Sequence, residues 1–177
     1  MIGRALAALV MVVAAACVIP PSQSSVGAVT TASGVGSRAS IGAHAVALDD
    51  RAASIVDLGA GWVAEDVAAR GTVHGTYVAL ARRISGPAWI GGRAELYWSV
   101  EMGQPRRALV ARAALRRHLA GVRWGSGDGG GALGVLGAVA TGVYLDVGAR
   151  QLEGGASEVF AAGGVSIDLP AIAGVSK

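Results

Sequence analysis

The chain has 177 residues, a net charge of +3, and a hydrophobic fraction of 53% against 15% charged. That length allows one domain with a core of its own, and that composition excludes disorder throughout. Charge this small and this dispersed also argues against a nucleic-acid partner. The densest basic run, Arg106, Arg107, Arg112, Arg116 and Arg117, reads as a solvated or membrane-rim surface.

From the amino terminus, Met-Ile-Gly-Arg supplies a short positive start, Ala5 to Val13 an uncharged apolar run, and Ala14-Ala15-Ala16-Cys17 a small-residue cleavage site. This order of charge, apolar segment and small residues is that of a secretory leader over residues 1–16. The apolar run is short of the ~20 residues of a spanning helix, and Pro20-Pro21 stop its extension. Cys17, the only cysteine, excludes an internal disulfide. The tetrad Ala14-Ala15-Ala16-Cys17 resembles the lipobox of bacterial lipoproteins, with Ala14 where that family prefers Leu. The resemblance implies acylation of Cys17 by palmitate-type chains and a mature chain beginning there. The stretch 17–50 then reads as lipidation site and tether, its Pro20-Pro21-Ser22-Gln23-Ser24-Ser25 polar and extended. Its later Gly/Ser/Ala-rich part is able to add one or two strands.

Residues 51–170 read as an antiparallel β-domain, with 171–177 a carboxy-terminal tail. The clearest strand is Ala88 to Met102, where Ala88, Ile90, Gly92, Ala94, Leu96, Trp98, Val100 and Met102 alternate with Arg93, Glu95, Tyr97, Ser99 and Glu101. A period of two is a strand, not a helix. The same test gives a strand in 52–65, with Val56, Leu58 and Trp62 opposite Asp57 and Glu65. In 69–83 it sets Val73, Tyr77 and Ala81 opposite Arg70, Thr72 and His74. In 139–151, Val143, Leu145 and Val147 stand opposite Tyr144, Asp146 and Arg150. In 157–169, Val159, Val165 and Ile167 stand opposite Glu158, Ser166 and Asp168. Glycine-containing turns separate these segments. Residues 106–120 carry both helix-like ends, Pro105 and Gly121, and an alternation of Leu109, Ala111, Ala113 and Leu115 that makes a strand the better reading. Gly129 to Leu145 is uncharged and just long enough for a membrane helix, but its six glycines and its alternation favour a strand.

Short turns between consecutive strands give an antiparallel meander. The strands are long, 13–16 residues, where globular ones average ~5–6 and membrane-barrel strands ~9–11 plus overhang. In strand length and in polar faces of mixed sign the chain resembles small outer-membrane β-barrels. That resemblance implies an all-β meander closing into a small barrel of about eight strands, an exported outer-membrane or periplasmic location, and the membrane as partner. Trp62, Trp98 and Tyr77 are assigned to the apolar faces, as interfacial aromatics. Alternation alone leaves open which face points inward. The alternative is a soluble, lipid-anchored periplasmic β-domain that binds an apolar ligand inside or a protein partner outside.

Motifs for chemistry are thin. Gly125 to Gly131 contains a G-x-G-x-x-G match, but about one is expected by chance among 28 glycines, so a hairpin tip is the better reading. His44, His74 and His118 stand far apart in sequence with no metal-ligand pairing. Glu95 and Glu101 share a strand face at roughly 20 Å, too far apart for two carboxylates at one glycosidic bond. No catalytic residue, metal site or cofactor is expected, and the chain does not read as an enzyme.

Overall fold

The computed structural model describes residues 18–48, 53–99, 101–125 and 132–175. The described residues form ten strands and one short 3-10 turn, with no α-helix. The strands are β1 (Val18–Ile19), β2 (Ser22–Thr31), β3 (Gly34–His44), β4 (Val56–Val67), β5 (Gly71–Ser85), β6 (Ala88–Tyr97), β7 (Pro105–Gly125), β8 (Ala132–Leu152), β9 (Ser157–Leu169) and β10 (Ala171–Val175). The turn, Ala45–Leu48, follows β3.

From β2 to β9 each strand pairs antiparallel with the next. β9 returns to pair with β2 from Ser22↔Leu169 to Thr31↔Phe160, closing an eight-stranded barrel. Proline sets the limits of the closed part. Pro20-Pro21 separate β1 from β2 and Pro170 separates β9 from β10, because proline cannot donate to a ladder. Beyond those breaks β10 pairs with β8 and β1 pairs with β10. The far halves of β7 and β8 also run on together to Gly125↔Gly134. One side of the wall is thereby carried past the barrel rim. At the opposite end, Gly154 and Gly155 take φ near +90° in the β8–β9 connection, a conformation open to glycine at little cost.

The strand reading of 106–120 holds, and β8 replaces any membrane helix over 132–145. Elsewhere the structure redraws boundaries. The Pro/Ser stretch expected as tether is already β2 from Ser22, and Gln23 and Ser25 point into the barrel. The tail carries β10. β6 ends at Tyr97, so Ser99 and Glu101 lie in the β6–β7 connection, off the face of Arg93 and Glu95. Cys17, the leader before it and the loop 126–131 lie outside the described residues.

β5 is turned opposite to its neighbours, with the set read as apolar pointing inward. Val73, Tyr77 and Ala81 face inward, while Thr72, His74 and Thr76 face outward with Val78 and Leu80. Both faces of β5 are mixed, so alternation could not orient it. Its ladder partner does: Tyr77 sits opposite Gly61, and its hydroxyl reaches His44.

Candidate functional site: a charged bore inside an apolar wall

About half of the inward residues of the barrel are polar, the rest forming apolar clusters around Val63, Tyr97 and Phe160 and around Trp89 and Tyr144. Arg38, Asp57, Glu65, Arg93, Glu95, Arg112, Arg116, Asp146, Arg150, Glu158 and Asp168 are all buried. Buried charge is tolerable only when paired and hydrogen-bonded, and three linked groups achieve this. At one end Glu65 accepts from Arg38 at 2.9 Å and from Arg150 at 2.6 Å. Arg38 also donates to Glu95 and to the Tyr97 hydroxyl, and Arg150 to Glu158. Arg70, at the rim, closes the group with two bonds to Glu158. The Arg38 and Arg150 guanidiniums lie 5.2 and 5.0 Å from the ring centre of Phe160, the chain's single Phe.

Midway, Arg112 grips Asp146 bidentately at 2.7 and 2.8 Å and lies 4.4 Å from the Tyr144 ring centre. Arg93 stacks 3.7 Å from the centre of Tyr77. Its Nε and Nη2 atoms are buried without a hydrogen-bond partner among the described residues. At the other end Asp57 accepts from Arg116 at 2.7 Å, and its Oδ2 lies 2.9 Å from His44 Nδ1. His44 Nε2 lies 2.9 Å from the Tyr77 hydroxyl. Asp168 accepts from Gln23 at 2.6 Å.

An Asp–His–Tyr chain invites a catalytic reading, but the cavity beside it, lined by His44, Asp57, Arg93, Arg112 and Arg116, measures about 10 Å³. That is room for about one water molecule, and none for a substrate. Side chains fill the bore, as the width of an eight-stranded barrel allows. Glycine enables some of this packing. A Cβ at Gly59 would sit 2.3–2.5 Å from the His44 ring. Among the described residues, no group of three or more His, Cys, Asp or Glu side chains could hold a metal ion.

The outward face is the inverse. Ile41, Leu58, Leu80, Ile90, Leu109, Leu145, Val159 and Ile167 are each between 43% and 72% exposed. Among the described side chains, the outward charges of β2–β9 are Asp66, Arg82, Arg106, Arg107 and Arg117, all toward the ends of the closed barrel. On β7, Arg107 and Arg117 bracket Leu109, Ala111, Ala113 and Leu115. Ten residues at ~3.3 Å, tilted ~40°, separate the two arginines by ~25 Å along the barrel axis. Trp62 and Trp98 also face outward, Trp62 stacked on His74 at 5.1 Å, whereas Tyr77 does not. Outside β5, the strand faces read as apolar therefore point away from the bore.

Of the polar side chains singled out from the sequence, Asp57, Glu65, Arg93, Glu95, Asp146, Arg150, Glu158 and Asp168 are inside, with Arg70 at the rim and Glu101 exposed in a connection. Sequence reasoning misses Arg38. Grouping by density places Arg112 and Arg116 on the surface, and the structure corrects this. Their shared parity with Ala108, Val110 and Ala114 marks them as inward, while Arg106, Arg107 and Arg117 face out. His44 is in the bore, His74 is outside, and His118 is half-buried at a rim.

That rim holds a half-open hollow. About 480 Å³ is bounded by Arg83, Trp89, Arg116, Arg117, His118 and Asp168 together with smaller side chains. No family model matches the chain, and neither a curated protein nor a solved structure does.

Proposed function

We propose that this protein is an exported outer-membrane β-barrel with a closed bore, serving the cell envelope as a structural element rather than as a pore or an enzyme. The observation that carries the reading is the outward face. A barrel in water would not present a continuous uncharged aliphatic wall, since soluble monomers rarely expose apolar patches beyond a few hundred Å². A barrel in lipid requires such a wall, ~25 Å tall, with a polar interior. The charged side chains at the two ends of that wall fit the two interfaces, and the outward Trp62 and Trp98, together near His74, fit one of them. Export by the leader 1–16 and acylation of Cys17 complete the proposal, giving the barrel a second hold on the membrane.

The test uses the full chain and its Cys17→Ser variant in a Gram-negative host. Both should sediment with membranes after an alkaline carbonate wash, dissolve only with detergent, and migrate differently on gels when unheated. A protein that Cys17→Ser releases as a soluble monomer would overturn the membrane barrel and leave a lipid-anchored soluble domain. An unmodified Cys17 by mass spectrometry would remove only the acylation.

A further inference from the structure

The 480 Å³ hollow lies at the mouth of the barrel beside the ends of β3, β5 and β9, the start of β6 and the middle of β7, and neither the internal charge network nor the outer wall accounts for it. Its size is within the range of small-molecule sites. Among the described residues, Arg83, Arg116 and Arg117 line it together with His118 and one acid, Asp168. Asp168 already accepts from Gln23. Arg116 is fixed rather than loose, bonded to Asp57 behind the hollow and lying 5.0 Å from the centre of the buried Trp89 ring.

The β7–β8 ladder passes from His118↔Ala140 directly to Ala120↔Val139, so Leu119 is an extra residue at this point. Bulges at barrel rims re-aim side chains. The His118 Nε2 atom is buried without a hydrogen-bond partner among the described residues. The His118 ring borders the hollow, although its Nε2 is itself covered. Val46, Pro87 and Trp89 give the same hollow an apolar side.

We infer that this hollow is a binding site for an organic anion, a phosphate or carboxylate group on a small apolar body. The anionic oxygens lie toward Arg116, Arg117 and His118, and the apolar body lies against Trp89 and Pro87. Guanidinium groups and an imidazole are the usual partners of such oxygens. The same chemistry is offered by a soluble aryl phosphate and by the headgroup of an anionic phospholipid at the membrane surface. The inference stands on the hollow itself, and only the lipid source depends on the membrane reading.

The experiment uses the full chain in a maltoside detergent. Phenyl phosphate, inorganic phosphate and benzylamine are titrated by calorimetry while the His118 imidazole resonances, assigned with His118→Gln, are followed. In parallel, phosphatidylglycerol or phosphatidylcholine is added to the micelles. Phenyl phosphate should bind, move the His118 resonances, and outcompete inorganic phosphate, while benzylamine should not bind. Arg117→Gln, at an exposed position, should weaken binding about tenfold, the scale of one charge-assisted hydrogen bond, with gel migration unchanged. A response to phosphatidylglycerol but not to phenyl phosphate assigns the site to a lipid headgroup, and the reverse assigns it to a soluble anion. The site is overturned if neither anion moves the resonances of folded protein, or if Arg117→Gln and His118→Gln both bind as the parent does.

Discussion

On β7 the outward ladder Arg107, Leu109, Ala111, Ala113, Leu115, Arg117 provides a depth gauge. Each two-residue step advances ~6.6 Å along the strand and ~5 Å along the barrel axis. Ala111 and Ala113 therefore stand ~10 and ~15 Å from the level of Arg107, at the middle of a ~25 Å band, while Leu109 and Leu115 stand ~5 Å from its edges. With Leu109→Ala and Leu115→Ala as backgrounds, each of the four positions is changed from Ala to Arg, so the same side chain is added at four depths. In lipid, the cost should be ~2–4 kcal/mol at positions 111 and 113, falling toward ~1 kcal/mol at 109 and 115. In water, an arginine at such exposed positions would change stability by only ~0.5 kcal/mol wherever it stood. Reversible unfolding by guanidinium from phosphatidylcholine vesicles gives the four values. A flat profile, or one costlier at the edges than at the centre, would refute the lipid-facing wall.

Further outcomes follow from the bore and its wall. Glu65→Ala leaves both Arg38 and Arg150 short of a carboxylate in a site where Glu65 is 2% exposed. It should cost ~3–5 kcal/mol in the same unfolding assay, with Glu65→Gln costing less. Gly59→Ala, whose Cβ would fall 2.3–2.5 Å from the His44 ring, should cost ~1–3 kcal/mol by overpacking. Gly163→Ala, with its nearest neighbour at 3.5 Å, should change stability by less than ~1 kcal/mol. Added to a planar bilayer, the folded protein should give no steady conductance, and stepwise porin-like currents would refute the closed bore.

Period-two alternation makes the strands legible because one face meets solvent or lipid and the other meets the bore, and the pleat cannot be slipped by one residue. The all-β meander, the barrel and the strand over 106–120 all follow from it. Orientation is less legible, since an apolar-in and an apolar-out barrel write the same pattern. The tie is broken by which residues meet across the ladder: Arg112 faces Asp146, and Arg150 faces Glu158, pairings between strands that no single segment displays. β5 misleads because Tyr77 is amphipathic. Its neighbours in sequence suggest an interfacial aromatic, yet its ring lies under Arg93 and its hydroxyl bonds His44. β2 is hidden for a compositional reason. Ser22, Gln23, Ser24 and Ser25 look like a tether, but Gln23 and Ser25 are inward polar residues of the kind this bore requires. The rim hollow cannot be read at all, because its lining is gathered from several strands and connections far apart in sequence.

The pair Arg112–Asp146 offers the strictest test of the register. The two residues are direct ladder partners on β7 and β8, joined by two hydrogen bonds, and Asp146 is fully buried. Arg112→Asp would place two carboxylates side by side, and Asp146→Arg two guanidiniums. Each alone should cost ~3–5 kcal/mol or prevent folding, because a buried charge loses its partner and gains a repeller. Exchanging both restores opposite charges on the same rung, so the double variant should recover at least ~2 kcal/mol relative to the sum of the singles. Recovery should be incomplete, since Arg112 also stacks on Tyr144 and a guanidinium moved to position 146 leaves that ring. Combining Arg112→Met with Asp146→Leu would instead test what the pair is for. A similar-sized apolar pair often matches or exceeds a buried ion pair in stability. Near-native stability with looser strand registration, read as broadened amide resonances on β7 and β8, would assign the pair to fixing the register rather than to holding the barrel together. If the exchange variant shows simple additivity, these two side chains do not meet, and the β7–β8 alignment is wrong.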